Sequence, residues 1–369
     1  MDHFEQLPDP RVDRTKLHSL TDILVITLCA VISGAEGWAD IAEYGRAKQE
    51  WLQTFLELPN GIPTDDTFRR VFARLDSEAF ARCFAKWTKA IRKKTRGQVV
   101  SIDGKALRHS FDTAAKTAAI QMVSAWAHDS RLVLAQQRVD AKSNEITAIP
   151  VLLELLDLQG CIVTADAMAT QKKIAQQIRA KGADYVLALR GNQGLTHEEV
   201  KHFFETRMCK GFADTKVHNH NTQDYDHGRM EIRRYYQVDQ IDWLLAKDDW
   251  SGLTSIGMMQ TERTEKGETS QETHYYLCSM PADVRRFAKA VRAHWGIENN
   301  LHWQLDVSFD EDDSRIRKDR APENFAIVRH IAINMLQQDI TSKVGVKARR
   351  KKAGWDNNYL SKILVYGGT

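Results

Sequence analysis

The spacing of apolar residues changes character near residue 97. Upstream, apolar positions recur every three or four residues, the period of an amphipathic helix. The run Ile23–Ile32 follows a capping signal, Ser19 to Asp22, and is broken by Gly34 and Gly37. Further helices are expected from Trp38 towards Tyr44 and around Gln49 to Leu56. Pro59-Asn60-Gly61-Ile62-Pro63 reads as a turn. Thr64-Asp65-Asp66 then caps a helix that turns Phe68, Val71, Phe72 and Leu75 inward and Arg69, Arg70 and Arg74 outward. One more helix starts at Ser77 and runs into a basic linker.

From Val99 the pattern is that of strands. Val99–Asp103, Ala118–His128 and Arg131–Val139 read as three of them, the last two joined at Asp129-Ser130. Lys142-Ser143-Asn144-Glu145 opens a helix through Leu156. A strand ending at Asp166, a helix from about Thr170 to Lys181 and the strand Tyr185–Leu189 follow. That order predicts an α/β core, a mixed sheet flanked by helices of the ribonuclease-H-like kind. Residues 194–280 read as a polar and then β-rich insertion, with Glu265-Lys266-Gly267-Glu268 as a hairpin tip. Helix is expected again from Pro281 to about Leu305 and from Pro322 to Asp339. Three regions result: an all-helical segment 1–96, an α/β core 97–340 interrupted by the insertion 194–280, and a basic tail 341–369.

Composition changes this picture little. The chain has 369 residues, 43% hydrophobic and 27% charged, with a net charge of +3, ordinary values for a globular protein. Two basic clusters stand out, Arg92-Lys93-Lys94-Thr95-Arg96 and Lys347-Ala348-Arg349-Arg350-Lys351-Lys352. Each reads equally well as a solvated face or as a phosphate contact. Five scattered cysteines without a CxxC pair point to reduced thiols in the cytoplasm. Cys209, His218, His220 and His227 match no standard zinc spacing. The opening residues do not read as a signal peptide, and the apolar run at 23–32 is too short to span a bilayer, so no membrane partner is expected.

The candidate chemistry rests on three carboxylates. Asp103 closes the apolar run Val99–Ile102, and Asp166 closes Cys161–Ala165. Buried strands that end this way deliver a charge at the sheet edge. Glu298 lies in the apolar stripe of the predicted 282–305 helix, three residues after Trp295. A lone glutamate there is either ion-paired or a metal ligand. Hard divalent ions take oxygen ligands, and a pair of ions held by carboxylates cuts and joins phosphodiesters. Lys105, Arg108 and Arg190 are placed to neutralise phosphate.

The stretches GIPTDDTFRRVFARLD, SIDGKALRHS, DAKSNEITAIPVLLELLDLQGCIVTADAMATQKKIA, DYVLALRGNQ and HWGIENNLHWQLDVSFDEDDSRIR together resemble the H-repeat-associated transposases, a family of DDE-type insertion-sequence transposases. The resemblance covers nearly the whole chain. It implies a ribonuclease-H-like catalytic core and Mg²⁺ dependence, with Mn²⁺ as substitute and two ions per site. It also implies double-stranded DNA as partner, namely terminal inverted repeats and target, with cleavage and strand transfer by a homodimer. Carried over by position, the catalytic and metal-holding residues are Asp103 in SIDGK, Asp166 in TADAMAT and Glu298 in HWGIENN. Many relatives place Tyr, Arg and Lys at seven before, four before and seven after the glutamate; here those positions hold Val291, His294 and Leu305. His294 then stands in for the arginine, with Arg292 and His302 as further phosphate contacts. Asp306 is a rival acidic ligand or the partner of a nearby base. A relic, an end-binding regulator of a related element, and a nuclease without strand transfer are the alternative readings.

Overall fold

The computed structural model describes residues 2–92, 97–111, 118–140, 143–226 and 228–366. Lys93–Arg96 of the first basic cluster, Lys142 and His227 lie outside them. Along the chain run helices α1 (Leu20–Ile32), α2 (Trp38–Ala47), α3 (Gln49–Leu52), α4 (Asp65–Arg74) and α5 (Ser77–Ile91). Strands β1 (Val99–Leu107), β2 (Ile120–Ala127) and β3 (Leu132–Arg138) follow. Then come α6 (Glu145–Leu155), β4 (Ile162–Ala165), α7 (Lys172–Ala180), β5 (Asp184–Leu189) and α8 (Gly194–Cys209). Four long strands come next: β6 (His218–Asp226), β7 (Arg229–Val238), β8 (Ser255–Glu265) and β9 (Glu268–Cys278). The last helices are α9 (Val284–Ile297), α10 (Trp303–Phe309), α11 (Ala321–Gln338), α12 (Val346–Trp355) and α13 (Asn357–Tyr366). A π-helical turn, Glu298–His302, joins α9 to α10. The fold class is α/β, with a mixed sheet, flanking helices and an N-terminal helical region. Among the described residues no helix is long and apolar enough to cross a membrane.

Internal contacts divide the chain into two compact units. The first holds Met1–Lys93, Gly104–Asn144 and Glu298–Thr369; the second holds Lys94–Asp103 and Glu145–Ile297. The first unit is built around α11, whose residues from Ala321 to Leu336 are all buried. A helix apolar on every side must lie inside a bundle, and α11 packs on α1, α4, α5, β2 and β3. Two of its polar residues, Asn324 and Asn334, satisfy backbone, while Glu323 and Arg329 pair with Arg138 and Glu311. Asn334 Oδ1 accepts from Val133 N at 2.8 Å, and its Nδ2 donates to Val133 O at 2.8 Å. Asn324 Nδ2 donates to Phe72 O and Leu75 O at the end of α4. The expected caps form at Ser19, which accepts from Asp22 N, and at Thr64, which accepts from Thr67 N. Helix α5 is capped by Asp76, one residue before the expected start.

The second unit is a sheet in the order β1-β4-β5-β9-β8-β7-β6. Strands β1, β4 and β5 are parallel, and each later pairing is antiparallel. The β-rich stretch therefore extends the same sheet through β9 on β5. Its tip is where the sequence placed it: Lys266 and Gly267 take φ of 53° and 87° between β8 and β9. Helix α9 lies on this sheet, with Phe287, Ala288, Ala290, Val291 and Ala293 buried against Val99, Ile162, Val186 and Tyr276. Gly257 in β8 makes the approach possible, because a Cβ there would sit 2.4 Å from the Phe287 ring. One expected element differs in kind: the start of the insertion is not loop but the 16-residue helix α8.

Candidate active site

In the second unit, β1 and β4 run side by side with Ile102 opposite Ala165. Asp103 and Asp166 are therefore the next residues on neighbouring parallel strands, whose spacing is about 4.8 Å. Both are partly exposed. The sheet supplies this pairing for a simple reason: Val99-Val100-Ser101-Ile102 and Ile162-Val163-Thr164-Ala165 are buried throughout, so the first residue free to carry a charge is the next one, which follows the end of β4 but lies inside β1, a strand that runs on to Leu107 and not, as expected, only to Asp103. Asp166 closes a turn on itself, its Oδ1 accepting from Ala169 N at 2.9 Å. Thr170 Oγ1 donates to Asp166 O at 3.0 Å and also binds Ala188 O. From the loop after β5, Asn192 Nδ2 donates to Ala167 O and Gln193 Nε2 to Thr170 O, each at 2.6 Å. Asn192 and Gln193 thus brace the Asp166 turn. The sequence singled out this loop for Arg190, which is exposed, and missed its amides.

Helix α9 is tied to the same strand pair by a buried relay. Ser101 Oγ donates to Ala293 O at 3.2 Å, and Thr164 Oγ1 donates to Ser101 Oγ at 3.0 Å. His294 Nδ1 is 3.2 Å from Thr164 Oγ1. Each hydroxyl has one proton, and both protons are used, so Thr164 accepts from His294 and the imidazole proton is assigned to Nδ1. Ser101 and Thr164 stand two residues before Asp103 and Asp166. Glu298 follows the last residue of α9, one turn beyond His294.

In the first unit, Glu298 opens the π-helical turn with its side chain 61% exposed, and His302 Nδ1 lies 3.7 Å from its Oε2. The sequence predicted one continuous helix here. A π turn inserts a residue and shifts the register of the apolar stripe, so Trp295 and Glu298 are exposed where the spacing placed them inward while Leu301 and Leu305 are buried; such turns recur at functional sites.

Three expected phosphate contacts are otherwise engaged. Lys105 is 11% exposed and ion-paired with Asp306 at 2.6 Å, Asp312 at 2.9 Å and Glu311 at 3.7 Å. Burial opposes its charge, but Glu311, Asp306 and Asp312 outweigh burial and hold the ammonium above the ordinary lysine value. Asp306 is thereby the partner of a base. His294 faces Thr164, and His302 is buried beside Glu298. Arg69 and Arg70 are exposed but both pair with Asp66. Arg74 is exposed. Arg108 is 74% exposed with Nε 3.1 Å from Asp312, and Arg292 is half exposed, 3.8 Å from Asp224.

A mixed sheet in which β1, β4 and β5 run parallel, with a helix laid on it, is the architecture of a ribonuclease-H-like core. The family comparison agrees. Residues 94–335 match the family described as "Transposase DDE domain", and residues 1–88 match the segment described as "DDE_Tnp_1-associated". The chain belongs to the DDE-domain transposases, and its core is ribonuclease-H-like. Two relatives come from strains of Escherichia coli. One, "Putative transposase YncI", is 40% identical over 369 residues, 99% of this chain and 94% of the relative. The other, "H repeat-associated putative transposase YhhI", is 40% identical over 373 residues, 100% of this chain and 98% of the relative. A DDE domain is an enzyme domain of the nuclease and transposase kind, implying divalent-metal dependence and DNA substrates.

Proposed function

We propose that this chain is the transposase of an insertion sequence, which binds the terminal inverted repeats of its element, cuts the DNA there and joins the ends to a target. The observation that carries the reading is the position of Asp103 and Asp166 side by side where the parallel pairing of β1 and β4 ends. With Glu298 they form the acidic set that we assign to metal binding. The donor chemistry fits, since all three offer carboxylate oxygens, the ligands a hard divalent cation takes. Asp103, Asp166 and Glu298 would hold Mg²⁺, two ions per site with Mn²⁺ as substitute, which would supply activation of the attacking water or 3′-hydroxyl and stabilisation of the leaving oxygen. The chain's part is to hold the carboxylates still. The Ala169 N–H fixes the Asp166 rotamer, and the Ser101–Thr164–His294 relay fixes the helix that leads to Glu298. Arg108, Arg190 and Arg292 remain as proposed phosphate contacts, and the helical segment 1–96, with Arg69, Arg70 and Arg74, as the proposed end-binding module. Action on paired ends makes a homodimer the expected DNA-bound form.

The test is metal-dependent nicking of duplexes taken from the two flanks of the gene. Asp103→Ala, Asp166→Ala and Glu298→Ala are each expected to abolish nicking and leave duplex binding intact. Full activity in any one of them removes that residue from the site. Products that are cut but never joined would make the chain a nuclease, and wild-type protein that binds without cutting would make it a regulator or relic.

A further inference from the structure

We infer that α12 presents a line of three lysines, Lys343, Lys347 and Lys351, that contacts the phosphate backbone of duplex DNA independently of sequence. The inference rests on the proposed DNA-directed function and identifies one surface that serves it. Helix α12 carries five cations and no acid, but they are not equivalent. Arg350 is 4% exposed and belongs to the interior. It donates to Val31 O at 2.8 and 3.0 Å, to Ala35 O at 3.3 Å and to Ser308 O, with its guanidinium 4.3 Å above the Phe309 ring. Arg349 is spent on the carbonyls of Leu336, Ser342 and Val344. Lys352 lies over the Tyr359 ring at 4.2 Å.

What remains is Lys347 and Lys351, both exposed, with exposed Lys343 in the turn before the helix. They recur every four residues. Positions 347 and 351 therefore share one helix face about 6 Å apart along the axis. Among the described residues none of the three has a carboxylate within 4.0 Å, unlike Arg69 and Arg70, which share Asp66. Unpaired ammonium groups on long stems, on a helix anchored by Arg349 and Arg350, are ready to replace counterions on a polyanion.

The opposite side of α12, Val346, Arg350 and Ala353, is buried in the unit. Exposed apolar residues flank the lysines, Ile340 and Val344 before the helix and Trp355 at its end, so nucleic acid is favoured over an anionic membrane by the DDE domain the chain carries and not by the helix face.

The experiment is fluorescence anisotropy of the full-length protein on a short random duplex and on a duplex from the flank of the gene, each across a salt series. The variant is Lys343→Gln/Lys347→Gln/Lys351→Gln. Each phosphate contact contributes about 0.9 to the slope of log affinity against log salt, so the slope should flatten by roughly 2.7 on both duplexes. The melting temperature and the preference for the flank duplex should stay as in wild type. The single Lys347→Gln variant should give about one third of the effect. An unchanged slope overturns the inference, as does binding of the wild type to phosphatidylserine vesicles that the triple variant loses while its DNA slope is kept. Wild-type protein that binds neither duplex sinks the DNA-directed function itself, a different result from wild-type binding with an unaltered variant.

Discussion

Replacing Thr164 by valine removes one oxygen from the relay that ties α9 to β1 and β4 and leaves the shape nearly unchanged. Thr164 is 2% exposed, and its Oγ1 makes two hydrogen bonds, to Ser101 Oγ at 3.0 Å and to His294 Nδ1 at 3.2 Å. Two lost bonds at about 1 kcal/mol each, together with a buried Ser101 and His294 left short of a partner, cost about 2–4 kcal/mol. No cavity opens, because valine fills the same space. The loss should concentrate in the helix the relay holds. Amide exchange in α9 (Val284–Ile297) should speed up by a factor on the order of 30 to 1,000, since each 1.4 kcal/mol is tenfold. Thr164→Ser keeps the oxygen and drops the methyl, so it should cost no more than about 1 kcal/mol. If the Asp103, Asp166 and Glu298 site is as proposed, Thr164→Val should slow DNA nicking while duplex binding stays constant, and Thr164→Ser should restore the rate. Exchange rates in α9 that match wild type would refute the reasoning, and so would a serine variant as damaged as the valine one, which would point to methyl packing.

Two further perturbations test the first unit. Asp339 is fully buried and accepts from Thr341 N at 3.1 Å, Thr341 Oγ1 at 2.6 Å, Tyr359 OH at 2.9 Å and Lys362 Nζ at 3.3 Å. Burial alone would raise its carboxyl, but the hydrogen bonds from Thr341, Tyr359 and Lys362 outweigh it and hold it at about 2, against an ordinary 3.8. A lowered carboxyl stabilises the fold above the ordinary value, and that stability is lost as pH falls through the folded one. Wild type should therefore exceed Asp339→Asn by about 2 kcal/mol in urea unfolding at neutral pH, with the gap closing between roughly pH 4 and pH 2; a gap that does not change with pH argues against this. Arg350→Met strips the donors from Val31 O, Ala35 O and Ser308 O and should cost about 3–5 kcal/mol, a fall in melting temperature on the order of 10 °C; a shift under about 2 °C would mean water replaces the guanidinium.

The aspartate pair was legible because its signal is local. Each apolar run is buried throughout and stops on a partly exposed acid, although β1 continues past Asp103 to Leu107 where the sequence pattern ended it. The β8–β9 tip was legible for the same reason, since a Gly in a charged tetrapeptide marks positive φ. Helix α8 was not. Only Thr196, Val200 and Phe204 are buried on it, a stripe one residue wide, too thin to outweigh the histidines and glutamates around it. The basic run at 347–352 misled differently. Its composition is that of a surface, yet Arg350 sits inside because its carbonyl partners lie as far as 319 residues away in the chain. No local pattern carries that information. The spacing put Trp295, Glu298, Leu301 and Leu305 on one inward stripe, but Trp295 and Glu298 are 45% and 61% exposed while Leu301 and Leu305 are buried, since the π turn at 298–302 shifts the helix register between them.

The acid-rich stretch after Glu298 poses the sharpest challenge to the assigned set, since Asp306, Glu311 and Asp312 offer as many carboxylates as the set itself. Their partners answer it. Lys105 takes all three, Arg108 takes Asp312 as well, and Arg329, fully buried, lies 3.5 Å from Glu311. A divalent ion placed among them would have to displace a buried ammonium whose charge those same acids sustain, and would leave a cation without partners in the interior, a cost of several kcal/mol. Asp103 and Asp166 differ in kind. Both are partly exposed where the pairing of β1 and β4 ends, and Asp166 Oδ1 accepts from Ala169 N within its own turn. Asp306, Glu311 and Asp312 are thus accounted for by the cations they pair with, and under the proposed function the metal falls to Asp103, Asp166 and Glu298 instead.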